Sequence, residues 1–190
     1  DLVTFLNSVR RIGGEYEVTN EGIVFYRASL LKSIGVETDT HPGFMTDWQQ
    51  PFVVLLTQAK GESKIHETIY EDRLGYANDL NLMGADIKIF TKCLGELPCR
   101  FREESYPHSA VISGPMPLHA ANLVVRDLRS GFVNVVAALI AEGQSTIGGV
   151  EEIDRGYYKL DERLISLGAD MKRVEAIAPA KQARSEFKAT

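Results

Sequence analysis

The sequence predicts an α/β protein built from an internal repeat, and three observations lead there. Two long stretches read as copies of one another: "DWQQPFVVLLTQAKGESKIHETIYEDRLGYANDLNLMGADIKI" from Asp47 and "DLRSGFVNVVAALIAEGQSTIGGVEEIDRGYYKLDERLISLGADMKR" from Asp127. Each copy alternates helix-period and strand-period patterns, and a partial third copy opens the chain. Helices and strands alternating in this way pack as α/β layers.

The partial copy is "FLNSVRRIGGEYEV", a helix, a stop at Gly13-Gly14 and a strand. It matches "DLNLMGADIKI", with Gly13 falling on Gly84, but its own first helix and Asp-Arg loop are missing. The expectation is therefore a chain that starts mid-repeat, with an upstream segment removed.

Next comes "THPGFMTDWQQPF", in which a Pro-Gly turn leads to Thr46 and Asp47. Asp and Thr are common at helix starts, so Asp47 either caps a helix or is held there for chemistry. Pro51 offers two geometries. If it takes the first helical position, Gln50 is the cap and Asp47 is free; if Thr46 is the cap, Pro51 loses a helix bond and kinks the helix. The second copy has Gly131 at the place of Pro51.

The first helix of each copy carries an apolar stripe, Phe52, Leu55, Leu56 and Ala59, or Phe132, Val135, Val136, Leu139 and Ile140. It ends near Lys60-Gly61 or Glu142-Gly143, where glycine suits a C-terminal cap. A short strand follows, near Ser63 to Glu67 or Ser145 to Gly148. An Asp-Arg loop comes next, "EDRLGY" or "IDRGYY", and then a second helix that ends in "LMGAD" or "SLGAD" and passes into a strand. Pro98, Pro107, Pro115 and Pro117 make Lys92 to Asn122 a region of strands and turns. The partial repeat spans 1–40, the full repeats about 41–120 and 121–174, and 175–190, with no apolar period, reads as a flexible tail.

The chain of 190 residues is 44% hydrophobic and 25% charged, with a net charge of −5. That balance argues against nucleic-acid binding, and no apolar run reaches the length of a membrane span. Two cysteines, Cys93 and Cys99, read as free thiols in a reducing cytoplasm, with a link between them as the lesser alternative. His41, His66, His108 and His119 lack ligand spacing and read as turn or surface residues, so no metal site is expected.

Three arginines fall at comparable places, Arg73 and Arg155 in the Asp-Arg loops and Arg129 at a helix start. Guanidinium groups bind carboxylates and phosphates in pairs, and helix starts add free N–H groups. Packed around a pseudo-symmetry axis, these groups would make a site for a small multiply charged anion, with Asp47 and Asp127 available as bases. Ion pairs that only brace their loops are an equally weighted reading.

Together "HPGFMTDWQQPF", "ETIYEDRL", "VRDLRSGF" and "EEIDRGYYKLDERLISLGAD" resemble the bacterial UDP-N-acetylglucosamine enolpyruvyl transferases, with "CLGELPCRF" and "HSAVISGP" as variant forms. The resemblance covers only the C-terminal half of such an enzyme. It implies one domain of an inside-out α/β barrel, with parallel helices inside and small sheets outside, whose first strand is borrowed from the distant N-terminus. It implies transfer of enolpyruvyl from phosphoenolpyruvate to the 3-hydroxyl of UDP-N-acetylglucosamine, both held jointly with the missing N-terminal domain, as the first committed step of peptidoglycan synthesis. No metal or organic cofactor is implied.

By the same resemblance, Asp47 is the base on the sugar hydroxyl and Asp127 a second active-site acid. Arg73 and Arg129 hold the phosphoenolpyruvate carboxylate, Arg155 closes over its phosphate, and Ile69 touches the sugar through its backbone. Met45, Glu152 and Tyr158 depart from the family's usual proline, histidine and glutamate. The family's reactive loop cysteine belongs to the upstream domain and matches neither Cys93 nor Cys99. Two alternatives stay open: a domain of the related 3-phosphoshikimate transferase, and a non-catalytic binding or regulatory module of the same fold.

Overall fold

Three glycines punctuate the fold in the same way, and they fix the repeat in three dimensions. In the computed structural model, residues 2–26, 30–97 and 99–174 are described. Helix α1 (Val3–Arg11), helix α3 (Tyr76–Leu82) and helix α6 (Leu160–Ser166) each run into a glycine with positive φ: Gly13 at 96°, Gly84 at 100° and Gly168 at 96°. At each stop the glycine N–H and the next N–H fold back onto two carbonyls of the last turn. The pairs are Gly13 to Arg10 and Gly14 to Val9; Gly84 to Asn81 and Ala85 to Leu80; Gly168 to Ile165 and Ala169 to Leu164. This is the Schellman arrangement, which needs a left-handed residue that glycine adopts without Cβ strain.

The other elements are β1 (Glu15–Val18), β2 (Ile23–Tyr26), β3 (Gly35–Glu37), α2 (Thr46–Leu56), β4 (Gly61–His66), β5 (Asp86–Phe90), β6 (Ser109–Gly114), β7 (Asn122–Val124), α4 (Leu128–Ile140), β8 (Thr146–Gly148) and α5 (Glu151–Asp154). They form three small sheets: antiparallel β1–β2, parallel β7–β8, and a four-stranded sheet ordered β3-β4-β6-β5. In the last, β3 runs parallel to β4, and β6 runs antiparallel to both its neighbours. Ile65 lies opposite Ala110 and Ile87 opposite Ile112, so one face of this sheet joins the core. Glu62 and Lys64, on the other face of β4, are exposed, as the two-residue alternation of a strand requires.

Helices α2 and α4 pack together inside this arrangement. Phe52, Val53 and Leu56 of α2 and Val133 and Ala137 of α4 are buried in one core with Ile12, Leu80, Met83 and Ile112. Gly131 of α4 leaves no room for a Cβ, which would meet Ile153 and Val125 side chains. Four aromatic rings, Phe5, Phe44, Trp48 and Phe52, meet edge-on or tilted, with Phe44 5.3 Å from Phe52 and 5.6 Å from Trp48. They clamp α1 and the preceding loop against the first turns of α2.

The chain divides into two compact units, residues 1–158, which hold everything from α1 to α5, and residues 159–190. The described part of the second unit is α6 and its glycine stop, with an Arg173–Asp161 ion pair at 2.9 Å. The second copy of the repeat is thus divided between the units in sequence. Among the described residues no helix is long and apolar enough to cross a membrane.

Several expectations need correction. Helix α2 starts at Thr46 with Met45 as its cap, so Pro51 is not at the first position and lies one residue deeper than a Thr46 cap would place it; it is the sixth helical residue. Its ring nitrogen has no proton for the carbonyl of Asp47. Helix α2 also stops at Leu56, before Lys60-Gly61, through turns at Thr57 to Ala59. In α4, Val135 is buried as expected, but Leu139 and Ile140 are 41% and 50% exposed, while Val133 and Ala137, outside the expected stripe, are fully buried. The second Asp-Arg segment is partly helical, as α5, and no strand follows Gly168 among residues 169–174. The expected flexible tail, 175–190, lies outside the described residues.

Candidate functional site

The two repeat-related helix starts are not used alike. Asp127 caps α4, accepting the N–H groups of Arg129 at 2.9 Å and Ser130 at 3.1 Å on one carboxylate oxygen. Asp47 lies in the first turn of α2, after an extended Met45, and its carboxylate caps nothing. It accepts instead from two arginines on the same oxygen, Nε of Arg129 at 2.7 Å and Nη1 of Arg73 at 3.1 Å. Helix packing between α2 and α4 brings Arg129 to Asp47 across 82 residues of sequence.

Arg73 is placed from behind. Its Nη1 also donates to the Thr46 hydroxyl at 2.8 Å, and that hydroxyl donates to Glu67 Oε2 at 2.8 Å. The guanidinium lies over the Tyr70 ring, 4.3 Å from its centre, and only 11% of the Arg73 side chain is exposed. Glu67 itself is fully buried. Its carboxyl group accepts the N–H groups of Ile69 and Tyr70 at 2.8 and 3.0 Å and a donor from Gln49 at 3.3 Å. That turns the chain sharply after β4, and Asp72 completes the turn with φ of 50°, a left-handed value aspartate tolerates better than most residues. Gln49 in turn accepts from the buried Tyr76 hydroxyl at 2.7 Å. Burial and then the Glu67 charge push the Tyr76 phenol far up, so it serves as a neutral donor.

These residues open onto a polar cleft of about 210 Å³, lined among others by Gln50, Asp72, Arg73, Tyr76, Asp127 and Arg129. Partial burial works to raise the pKa of Asp47, but the hydrogen bond and charge of Arg129, and then the charge and hydrogen bond of Arg73, hold it below the usual carboxylate value. For Asp127, burial again pulls upward and is outweighed by the Ser130 hydroxyl and the Ser130 and Arg129 N–H groups. Burial and then the Asp47 charge push Tyr157 up; its ring stacks on Phe132 at 4.8 Å.

The structure thus joins Asp47, Arg73, Arg129 and Asp127 in one place. In the second Asp-Arg segment Arg155 pairs with Glu152 of its own turn at 2.8 Å and is 74% exposed, while Tyr157 of the same segment lies close enough to feel the charges of Asp47 and Arg129. The backbone N–H of Ile69 is already committed to Glu67. Sequence reasoning missed Glu67, Thr46 and Tyr70. The "ETIYEDRL" run holds Glu67 and Tyr70 close to Arg73, but the role of Glu67 depends on α2 lying over it, which no local pattern signals.

A further correction concerns the histidines. His66 and His108, read as turn or surface residues, are 1% and 0% exposed. Cys93 and Cys99 are free thiols beside them.

Replacing Asp127 by alanine is expected to cost about 1 kcal/mol of stability through loss of the α4 cap, and replacement by asparagine far less, since asparagine caps equally well. Urea denaturation of both variants checks this.

Comparison with known proteins agrees with this architecture. The family profile described as EPSP synthase (3-phosphoshikimate 1-carboxyvinyltransferase) matches residues 2–164. A UDP-N-acetylglucosamine 1-carboxyvinyltransferase of Protochlamydia amoebophila is 51% identical over 176 residues, 92% of this chain and 38% of the relative. One from Chlamydia abortus is 51% identical over 170 residues, 88% of this chain and 38% of the relative. Among solved structures, the enolpyruvyl transferase NikO from Streptomyces tendae superposes with a TM-score of 0.74 at 25% identity, over 89% of this chain and 36% of that one. The chain spans under two fifths of the length of these relatives.

Proposed function

Because the chain belongs to the EPSP synthase family of enolpyruvyl transferases, we propose that it is one domain of an enzyme that transfers enolpyruvyl from phosphoenolpyruvate to the 3-hydroxyl of UDP-N-acetylglucosamine. The observation that carries the reading is the convergence of Arg73 and Arg129 on the single carboxylate of Asp47. Two fixed guanidinium groups suit the carboxylate and phosphate of phosphoenolpyruvate and the charge of a tetrahedral adduct. An anion that draws them off Asp47 removes the charges that hold its pKa down, and so makes it a better base toward the sugar hydroxyl. Binding of the anionic donor thereby readies the base for the acceptor.

In this reading residues 1–174 form the domain, and the acceptor and donor are shared with a complementary upstream domain. Asp127 is a second acid, Ile69 lies against the sugar, and Arg155 reaches phosphate only after leaving Glu152. The enzyme acts in the cytoplasm, in peptidoglycan synthesis. The identity to two UDP-N-acetylglucosamine 1-carboxyvinyltransferases favours that acceptor over 3-phosphoshikimate.

The test is phosphate release by this chain fused to the upstream part of the Protochlamydia amoebophila relative. The fusion is expected to release phosphate from phosphoenolpyruvate with UDP-N-acetylglucosamine, and the chain alone to release none. Preference of the fusion for shikimate 3-phosphate, or turnover by the chain alone, overturns the reading.

A further inference from the structure

We propose that His66, Cys93, Cys99 and His108 form a structural zinc site, one that ties the loop between β5 and β6 to the strand ends beneath the candidate active site. The donor atoms of these four residues all lie within 4.8 Å of one another. Tetrahedral zinc, with bonds of about 2.0–2.3 Å to nitrogen and sulfur, spaces its donors about 3.3–3.8 Å apart. Closing on the metal therefore asks for side-chain shifts of about an ångström or less at each donor, and His108 Nε2 is already 3.4 Å from Cys93 Sγ.

The ring orientations point the same way. His66 Nδ1 is 3.0 Å from Glu37 Oε2, and His108 Nδ1 is 2.7 Å from the Tyr106 carbonyl oxygen. An acceptor on Nδ1 keeps the proton there and leaves the Nε2 lone pair free for a metal. Carboxylate and carbonyl partners of this kind are what metal-bound histidines use. His66 Nε2 is buried and has no hydrogen-bond partner. A buried polar nitrogen in that state is costly, and a metal ion in the cluster would satisfy it. A Cys93–Cys99 disulfide would not.

The surrounding chain is built to hold the loop in place. By strand alternation His66 belongs to the face of β4 that carries exposed Glu62 and Lys64, yet it is buried. The loop that carries both cysteines lies near it. Glu37 holds this loop as well as the histidine, accepting the N–H groups of Glu96 at 2.9 Å and Leu97 at 2.8 Å. Gly95, just before them, packs so closely that a Cβ there would overlap the Glu37 carboxyl group and His66 Nδ1. Four protein donors with mixed sulfur and nitrogen chemistry make a closed, tetrahedral site that selects zinc and leaves no position for substrate. Glu67 follows His66 directly, and its N–H donates to the His108 carbonyl at 2.7 Å. The metal would therefore fix the strand end from which Glu67 sets Thr46 and Arg73.

The full chain, purified from zinc-supplemented medium without chelators, is expected to carry about one zinc per chain by mass spectrometry of the elements. Cobalt(II) exchanged into the site is expected to show the strong visible bands of tetrahedral coordination together with thiolate-to-cobalt charge transfer. Cys93→Ser and Cys99→Ser should each lose the metal, His119→Ala should keep it, and chelation should lower the Tm of the unmodified chain. The cobalt spectrum of the unmodified chain decides the matter even if the variants do not fold. Trace metal with no such spectrum, cobalt bands without charge transfer, or a Cys93–Cys99 disulfide in the unreduced chain overturns the proposal.

Discussion

Asp47→Asn is expected to lower kcat for enolpyruvyl transfer by about 10²–10⁴-fold in the fusion to the upstream domain of a relative, the range of a lost general base. Asparagine keeps the size of the side chain and one oxygen for Arg129 and Arg73 but cannot take a proton. The KM for phosphoenolpyruvate should change little or fall, because both arginines lose their competing carboxylate. A loss of kcat below about tenfold would mean that Asp47 is not the base and serves only to hold the arginines. A second readout separates the roles. The folded-state pKa of Asp47 lies below its unfolded value, so its pairing stabilises the domain above the ordinary carboxylate pKa, and that contribution is lost as pH falls through the folded value. Asp47→Asn should therefore flatten the acid limb of the stability profile. Because the carboxylate is 61% exposed, solvent screening keeps this effect small, so a structural role alone would show there and not in kcat.

Glu67→Ala is expected to destabilise the domain by about 3–5 kcal/mol, among the largest effects a single residue can have here. The substitution would take the buried acceptor from four donors, one of them fully buried: the Thr46 hydroxyl, the Gln49 amide and the N–H groups of Ile69 and Tyr70. Glu67→Gln keeps an acceptor and should cost distinctly less. Urea denaturation of the two variants measures both. A cost below about 1 kcal/mol for the alanine variant would show that water enters and replaces the carboxyl group. The consequence for the candidate site is separate: without Glu67, Thr46 no longer has a fixed hydroxyl to offer Arg73, and the two-arginine cluster loosens on that side only.

Much of this fold could be read without coordinates because its signals are local. Gly13, Gly84 and Gly168 mark the same helix stop in three places, and only a left-handed residue closes that hydrogen-bond pattern. The helical stripe of α2 held at Phe52 and Leu56 for the same reason. In α4 it failed at Leu139 and Ile140, since which of several apolar faces is covered depends on the neighbours. Helix-start preferences left Pro51 open between two geometries, and the loop before α2 decided the start. The aromatic clamp of Phe5, Phe44, Trp48 and Phe52 seats α2 from Thr46 onward, and the missing Pro51 hydrogen bond is tolerated within that packing.

The sequence by itself determined the repeat, the α/β alternation, and the residues Asp47, Arg73, Arg129 and Asp127, because repeated chemistry at matched positions is visible in one dimension. Only the tertiary structure decided how they are used. It made Asp127 a cap and Asp47 the meeting point of two arginines, left Arg155 on Glu152, and buried Glu67, His66 and His108. The reason is physical: hydrogen-bond geometry and burial are set by segments far apart in the chain, such as α2 against α4, or the cysteine loop against Glu37 and the end of β4. No spacing within a single segment encodes those distances.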